Sequence, residues 1–193
     1  LITLIFNQAI VAFLFSDALV SYAVVSYVNS IIIFSVNGVV QGSQPLISYY
    51  YGKQMNSHYR KLLAYCLFSA LALSIGGVLI CWMFTDCIVA FYVSSDAAQL
   101  RAYSVDVMRI FSLSFPALSL NIVISGYLAA LEHALPSIWI SLGRSFVFLL
   151  LGLTVLISIM GGEGVWFAPL LSEITCLIIS VLFLFFLKRF LKP

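Results

Sequence analysis

Only a few residues of this 193-residue chain can carry charge, and those that fall inside apolar stretches must have a chemical reason to be there. Glu173 stands about nine residues into the last apolar run. An ionised carboxylate at that depth of a membrane costs about 2.5–3.5 kcal/mol on insertion scales, so it needs a cationic partner or a proton. Arg144, in the preceding run, is the candidate counter-ion. Such a pair can serve as a buried bond between two helices or as an ion-coupling site whose carboxylate gains and loses its charge. Asp106 and Arg109 are three residues apart and share a helix face. They read either as an interfacial salt bridge or as a second candidate for ion coupling. Asn121 lies about 60° around the same helix from Asp106, on the side that could line a cavity.

A second set lies earlier in the chain. Ser26, Ser30, Asn37, Gln41 and Gln44, wound at about 100° per residue, fall within an arc of roughly 60°, with Gly38 and Gly42 on the adjoining side. In hydrocarbon an unpaired amide is costly, so the stripe must face a neighbouring helix or a water-filled cavity. Asn37, Gln41, Gln44 and Asn121 are therefore candidates to line a substrate path; the competing role for the stripe is to bond helices together. Gly38-x-x-x-Gly42 allows another backbone to approach closely.

The elements that carry these residues follow from composition. With 63% hydrophobic and 8% charged residues and a mean hydropathy of +1.15, the chain lies far outside the range of soluble domains. It reads as an all-α polytopic membrane protein, a single transmembrane lobe over residues 1–193. The expected helices are at 1–15, 19–44, 62–84, 102–131, 137–160 and 165–187. The first is short for a span, as if the sequence began part-way through a helix. Pro45 is expected to end the second, because it cannot donate a backbone bond and restricts Gln44. Pro116 is expected to kink the fourth. Residues 85–101 are expected to form the longest connection, and Gly161-Gly162-Glu163-Gly164 to close the fifth helix.

Lysine and arginine give an orientation. Lys53, Arg60, Lys61, Arg144, Lys188, Arg189 and Lys192 lie on or near alternate connections, and only Arg101 and Arg109 lie near the others. The positive-inside rule then places the former side, with the C-terminus, in the cytoplasm. Cys66, Cys81, Cys87 and Cys176 show no C-x-x-C spacing and read as structural thiols. His58 and His133 sit at turns without a second ligand at metal spacing, so they read as solvated side chains, as do Glu132 and Glu163. No metal, cofactor or nucleic-acid partner is expected.

Several stretches resemble one family. Gly38, Gln41, Gly42, Gln44, Pro45, Ile47, Tyr49, Tyr51 and Gly52 form a pattern similar to the segment that ends the second helix of the C-terminal lobe in MATE-type multidrug exporters. That family usually has Asn between the two tyrosines, where this chain has Tyr50, so no role of that Asn carries over. Arg109-Ile-Phe, Pro116, Asn121-Ile and Gly126-Tyr-Leu-Ala-Ala resemble the tenth helix of the bacterial drug-efflux type. Arg144 falls where many relatives have an arginine, and Gly164-Val-Trp166-x-Ala168-Pro169-x-x-x-Glu173 resembles the start of the twelfth helix. The resemblance implies the six-helix C-terminal lobe of a twelve-helix transporter in the bacterial cytoplasmic membrane. It implies export of small organic, often cationic compounds against a proton or sodium gradient, with an N-terminal six-helix lobe of the same protein as the partner. In many relatives the coupling carboxylate lies in that other lobe.

Two other functions stand beside it: a lipid-linked saccharide flippase of the same superfamily, which would place more basic residues along the cavity, and a non-transporting membrane scaffold. There is no phosphate-binding Gly-x-x-x-x-Gly-Lys-Ser/Thr loop, and no convergent acid, serine and histidine set inside the spans, so neither an ATP-driven pump nor an enzyme is expected.

Overall fold

The computed structural model describes residues 2–94 and 96–190, with side chains described for 3–94 and 96–185. A chain this apolar must satisfy its backbone N–H and C=O groups within its own segments, and helices do so without water. The described residues accordingly fold into α1 (Ile2–Phe13), α2 (Ala18–Gly52), α3 (Asn56–Met83), α4 (Thr85–Tyr92), α5 (Ala98–Ser112), α6 (Phe115–Ala130), α7 (Ala134–Leu142), α8 (Phe148–Met160) and α9 (Gly164–Phe190). A π-helical turn, Gly143–Val147, joins α7 to α8, and a 3₁₀ turn, Gly161–Glu163, joins α8 to α9. Among the described residues four stretches are long and apolar enough to cross a membrane: Ala18–Gly52, Asn56–Met83, Ala98–Ala130 and Ala134–Phe185. The last folds back on itself where Gly161 takes a φ of +66°, a conformation that suits glycine. A Cβ on Gly152 would stand 3.1 Å from the Ala168 carbonyl, and one on Gly164 would overlap the Leu156 backbone, so α8 and α9 pack as a tight antiparallel pair.

The α5–α6 rod forms the centre. In its apolar stretch 72% of residues are buried, against 28% or less in the other three. Phe111 and Phe115 of this rod pack with Phe6, Val25 and Trp166 in the main core. Large apolar side chains elsewhere, such as Phe34, Phe68 and Phe91, face outward, as a lipid-facing surface requires.

Several boundaries differ from the sequence expectation, each for a physical reason. Pro45 does not end α2, which continues to Gly52. Gln44 donates to the Gly126 carbonyl at 3.4 Å and Ser48 to the Ala130 carbonyl at 2.9 Å, so α6 holds the helix on both sides of the missing bond. The chain turns only after Lys53, through Gln54 at φ +57°. Helix α3 starts at Asn56 rather than 62, because buried Tyr59 anchors its first turns against Ile47 and Tyr127. Residues 85–92, expected as connection, form α4, pinned by Val89 and Val93 against Val105. Pro116 interrupts its rod more completely than a kink. Its nitrogen cannot bond the Ser112 carbonyl, and the chain breaks into α5 and α6, with the Ser112 and Ser114 hydroxyls donating to the carbonyls of Arg109 and Phe111. The close approach expected at Gly38 and Gly42 is absent among the described residues, since neither has an atom within 4 Å of its would-be Cβ. It occurs at Gly126 instead, against Val40.

Candidate functional site

The side chain of Glu173 lies in the middle of the bundle, on the inward face of α9 that also carries Trp166, Cys176 and Ser180, all fully buried. Three elements converge on it. From α6, Asn121 donates its amide to Glu173 Oε2 at 2.8 Å and to the Glu173 carbonyl at 2.9 Å. From the π turn, Arg144 Nη1 lies 3.4 Å from Glu173 Oε1. Ser180, two turns along α9, donates to Asn121 Oδ1 at 3.0 Å and fixes the orientation of the amide. A charge buried this way is tolerable because its oxygens are bonded and its charge is matched.

Arg144 is the second residue of the π turn. One extra residue in the turn rotates the face that follows it, and such turns cluster at functional positions. Ser172, the neighbour of Glu173, donates to the Arg144 carbonyl at 3.2 Å. Adjacent residues of α9 therefore grip both the backbone and the side chain of Arg144.

Two hollows meet at this pair. The first, about 160 Å³, is lined by Tyr22, Asn29, Phe111, Ser145, Arg144 and Glu173 among others, along the first half of α2. The second, about 340 Å³, lies along the second half of α2 and is lined by Asn37, Gln41, Gln44, Asn121, Ser125 and Arg144 among others. The structure thus brings the four cavity candidates to one hollow, and Arg144 lines both. Asn37 bonds the Ile33 carbonyl of its own helix at 2.9 Å, and Ser26 and Ser30 likewise bond back one turn, so these three stabilise α2 itself. Ser125 bonds Ser137 at 3.0 Å and Ser141 at 2.9 Å across the wall of the second hollow. This hydroxyl cluster went unnoticed in the sequence; the i, i+4 spacing of Ser137 and Ser141 was the available signal.

Asp106 and Arg109 are not brought into the site. Asp106 is exposed, and among the described residues the pair makes no salt bridge, Arg144–Glu173 being the one ion pair present. Asp106 faces outward while its neighbours Val105, Val107 and Met108 take the buried positions of α5. His133 is not simply solvated: its Nε2 is buried and has no hydrogen-bond partner among the described residues. Among the described residues, no three His, Cys, Asp or Glu side chains converge to hold a metal ion. Lys188, Arg189 and Lys192, on which the orientation partly rests, have side chains outside the described residues.

The fold has close counterparts among solved structures. A multidrug resistance MATE family transporter of the MOP superfamily, in its outward-facing conformation, superposes with a TM-score of 0.90 at 13% identity, over 100% of this chain and 44% of that one. A MATE protein in complex with MaL6 superposes with a TM-score of 0.87 at 12% identity, over 94% of this chain and 41% of that one. The chain therefore spans less than half the length of these proteins. No curated protein matches it in sequence. An all-helical membrane lobe of this shape, with a polar site at its centre, is the architecture of a membrane transporter. The MatE family model matches residues 2–155, and the chain belongs to that family.

Proposed function

We propose that the protein containing this lobe is an ion-coupled antiporter that exports small organic, often cationic, compounds by alternating access, with Glu173 as the coupling carboxylate in this lobe. The observation that supports it most is the placement of Glu173: a carboxylate bonded by Asn121 and Arg144 where two hollows meet. A group so placed can take up a cation or proton from the first hollow while its partners Asn121 and Arg144 line the second. Proton and sodium both remain open to it, since either neutralises the carboxylate. Asn37, Gln41, Gln44 and Asn121 would contact the substrate in the second hollow. The lobe would sit in a bacterial cytoplasmic membrane with its C-terminus inside, completed by an N-terminal six-helix lobe. A lipid-linked saccharide flippase is the second reading, and this lobe favours it less, because among the described residues Arg144 is the one basic side chain lining the second hollow.

Full-length protein in liposomes, loaded with ethidium and given a proton or a sodium gradient in turn, tests this. Ethidium movement driven by one of the gradients is the expected result. Movement that ignores both would refute ion-coupled export.

A further inference from the structure

We propose that Arg144 transmits the charge state of Glu173 from the first hollow to the second, so that a proton taken up on one side of the ion pair expels an organic cation from the other. This deepens the ion-coupled export reading above and rests on it.

The geometry separates the two ligands. Glu173 lines the first hollow and not the second, whereas Arg144 lines both. Apart from Arg144, the second hollow is walled by amides, hydroxyls and apolar groups, with no carboxylate among the described residues that line it. A proton on Glu173 and an organic cation in the second hollow therefore occupy different groups of this lobe, which meet in a shared neighbour. Arg144 is that neighbour, joined to Glu173 through Nη1 alone and held at its backbone by Ser172.

The charge balance gives the sign. With Glu173 ionised, the pair is neutral overall, and a cation in the second hollow meets polar groups with no net charge behind them. A proton arriving through the first hollow forms an O–H bond on the carboxylate and cancels its charge. The guanidinium then stands uncompensated in the wall of the second hollow. Two like unit charges held within one hollow, at an effective dielectric of about 20, weaken binding by about tenfold or more.

Among the described residues no other charged side chain lines either hollow, and Arg109 of α5 lines neither. Helices α1, α7 and α8 carry no titratable residue. From α6 the site receives neutral Asn121, while Tyr127 packs against Tyr59. From α5, Tyr103 bonds Trp166 and Asp106 is exposed. Tyr22 of α2 shares the first hollow with Glu173, Cys176 lies one turn along α9, and Glu163 sits at the far end, in the turn before α9.

Equilibrium binding of ethidium to the purified full-length protein, followed from alkaline to acid pH, tests the relay. The wild type should lose about tenfold in affinity on acidification. E173Q should bind weakly at every pH, by the same factor, and R144Q/E173Q, which carries neither charge, should recover tight, pH-independent binding. R144K, which keeps the charge, should keep the wild-type pH profile. A double variant as weak as E173Q, or one that still weakens in acid, overturns the relay alone. Failure of the wild type to bind ethidium at any pH overturns the export reading and the relay with it. Thermal melts of E173Q and R144Q/E173Q establish that both are folded, and the comparison needs only those two.

Discussion

Removing the Asn121 side chain should destabilise the lobe, and most of that loss should vanish if Glu173 is removed as well. Asn121 is fully buried and makes three bonds: to Glu173 Oε2 at 2.8 Å, to the Glu173 carbonyl at 2.9 Å and from Ser180 at 3.0 Å. Hydrogen bonds between membrane helices average about 0.6 kcal/mol and reach about 1.7, and those to a charged group run to about 1.5–3 kcal/mol. Asn121→Ala should therefore cost about 2–3 kcal/mol, of which about 1–2 kcal/mol is coupled to the carboxylate. The protein supplies its own probe. Cys66, Cys81 and Cys176 are buried free thiols, so a thiol-reactive fluorophore reports unfolding in detergent as they become exposed. Wild type, Asn121→Ala, Glu173→Ala and the double variant complete the cycle. Distant, independent sites add within about 0.3–0.5 kcal/mol; additivity of these two at that level would refute the claim that Asn121 and Glu173 form one unit.

Other consequences are as specific. Gly126→Val should lower stability by about 1–3 kcal/mol, because any Cβ there overlaps Val40, and a melting curve measures it. Trp166→Phe removes the 2.7 Å bond from the indole to the Tyr103 hydroxyl and should cost about 0.5–1.5 kcal/mol in the same assay. Cys87, the one exposed cysteine, should be labelled by maleimide in the folded lobe while the other three are protected, as mass spectrometry would show. Ser172→Ala frees the Arg144 carbonyl and should blunt the pH dependence of ethidium binding without abolishing binding.

Much of this was legible in the sequence, and the misses share a cause. Composition dictates helices, because lipid offers the backbone no other partner. Helical spacing put Glu173 on one face with Trp166, Cys176 and Ser180, and that face is the buried one. Pro45 misled because its lost bond was weighed alone, whereas Gln44 and Ser48 hold α2 to α6 across the break. Asp106 and Arg109 misled because sharing a face permits contact but does not bring it about. Arg144 presents the deeper limit. A count at 100° per residue fails beyond Gly143, since the π turn adds a residue and rotates everything after it, so its access to both hollows could not be read from spacing. The glycine pair at 38 and 42 shows that a small-residue motif permits close packing without saying which neighbour will use it.

The most direct test of Glu173 as the coupling carboxylate counts protons. When ethidium binds the full-length protein in weakly buffered solution, at a pH where Glu173 is partly protonated, the wild type should release protons into the medium and E173Q should release none. Equal proton release by the two proteins would contradict the account.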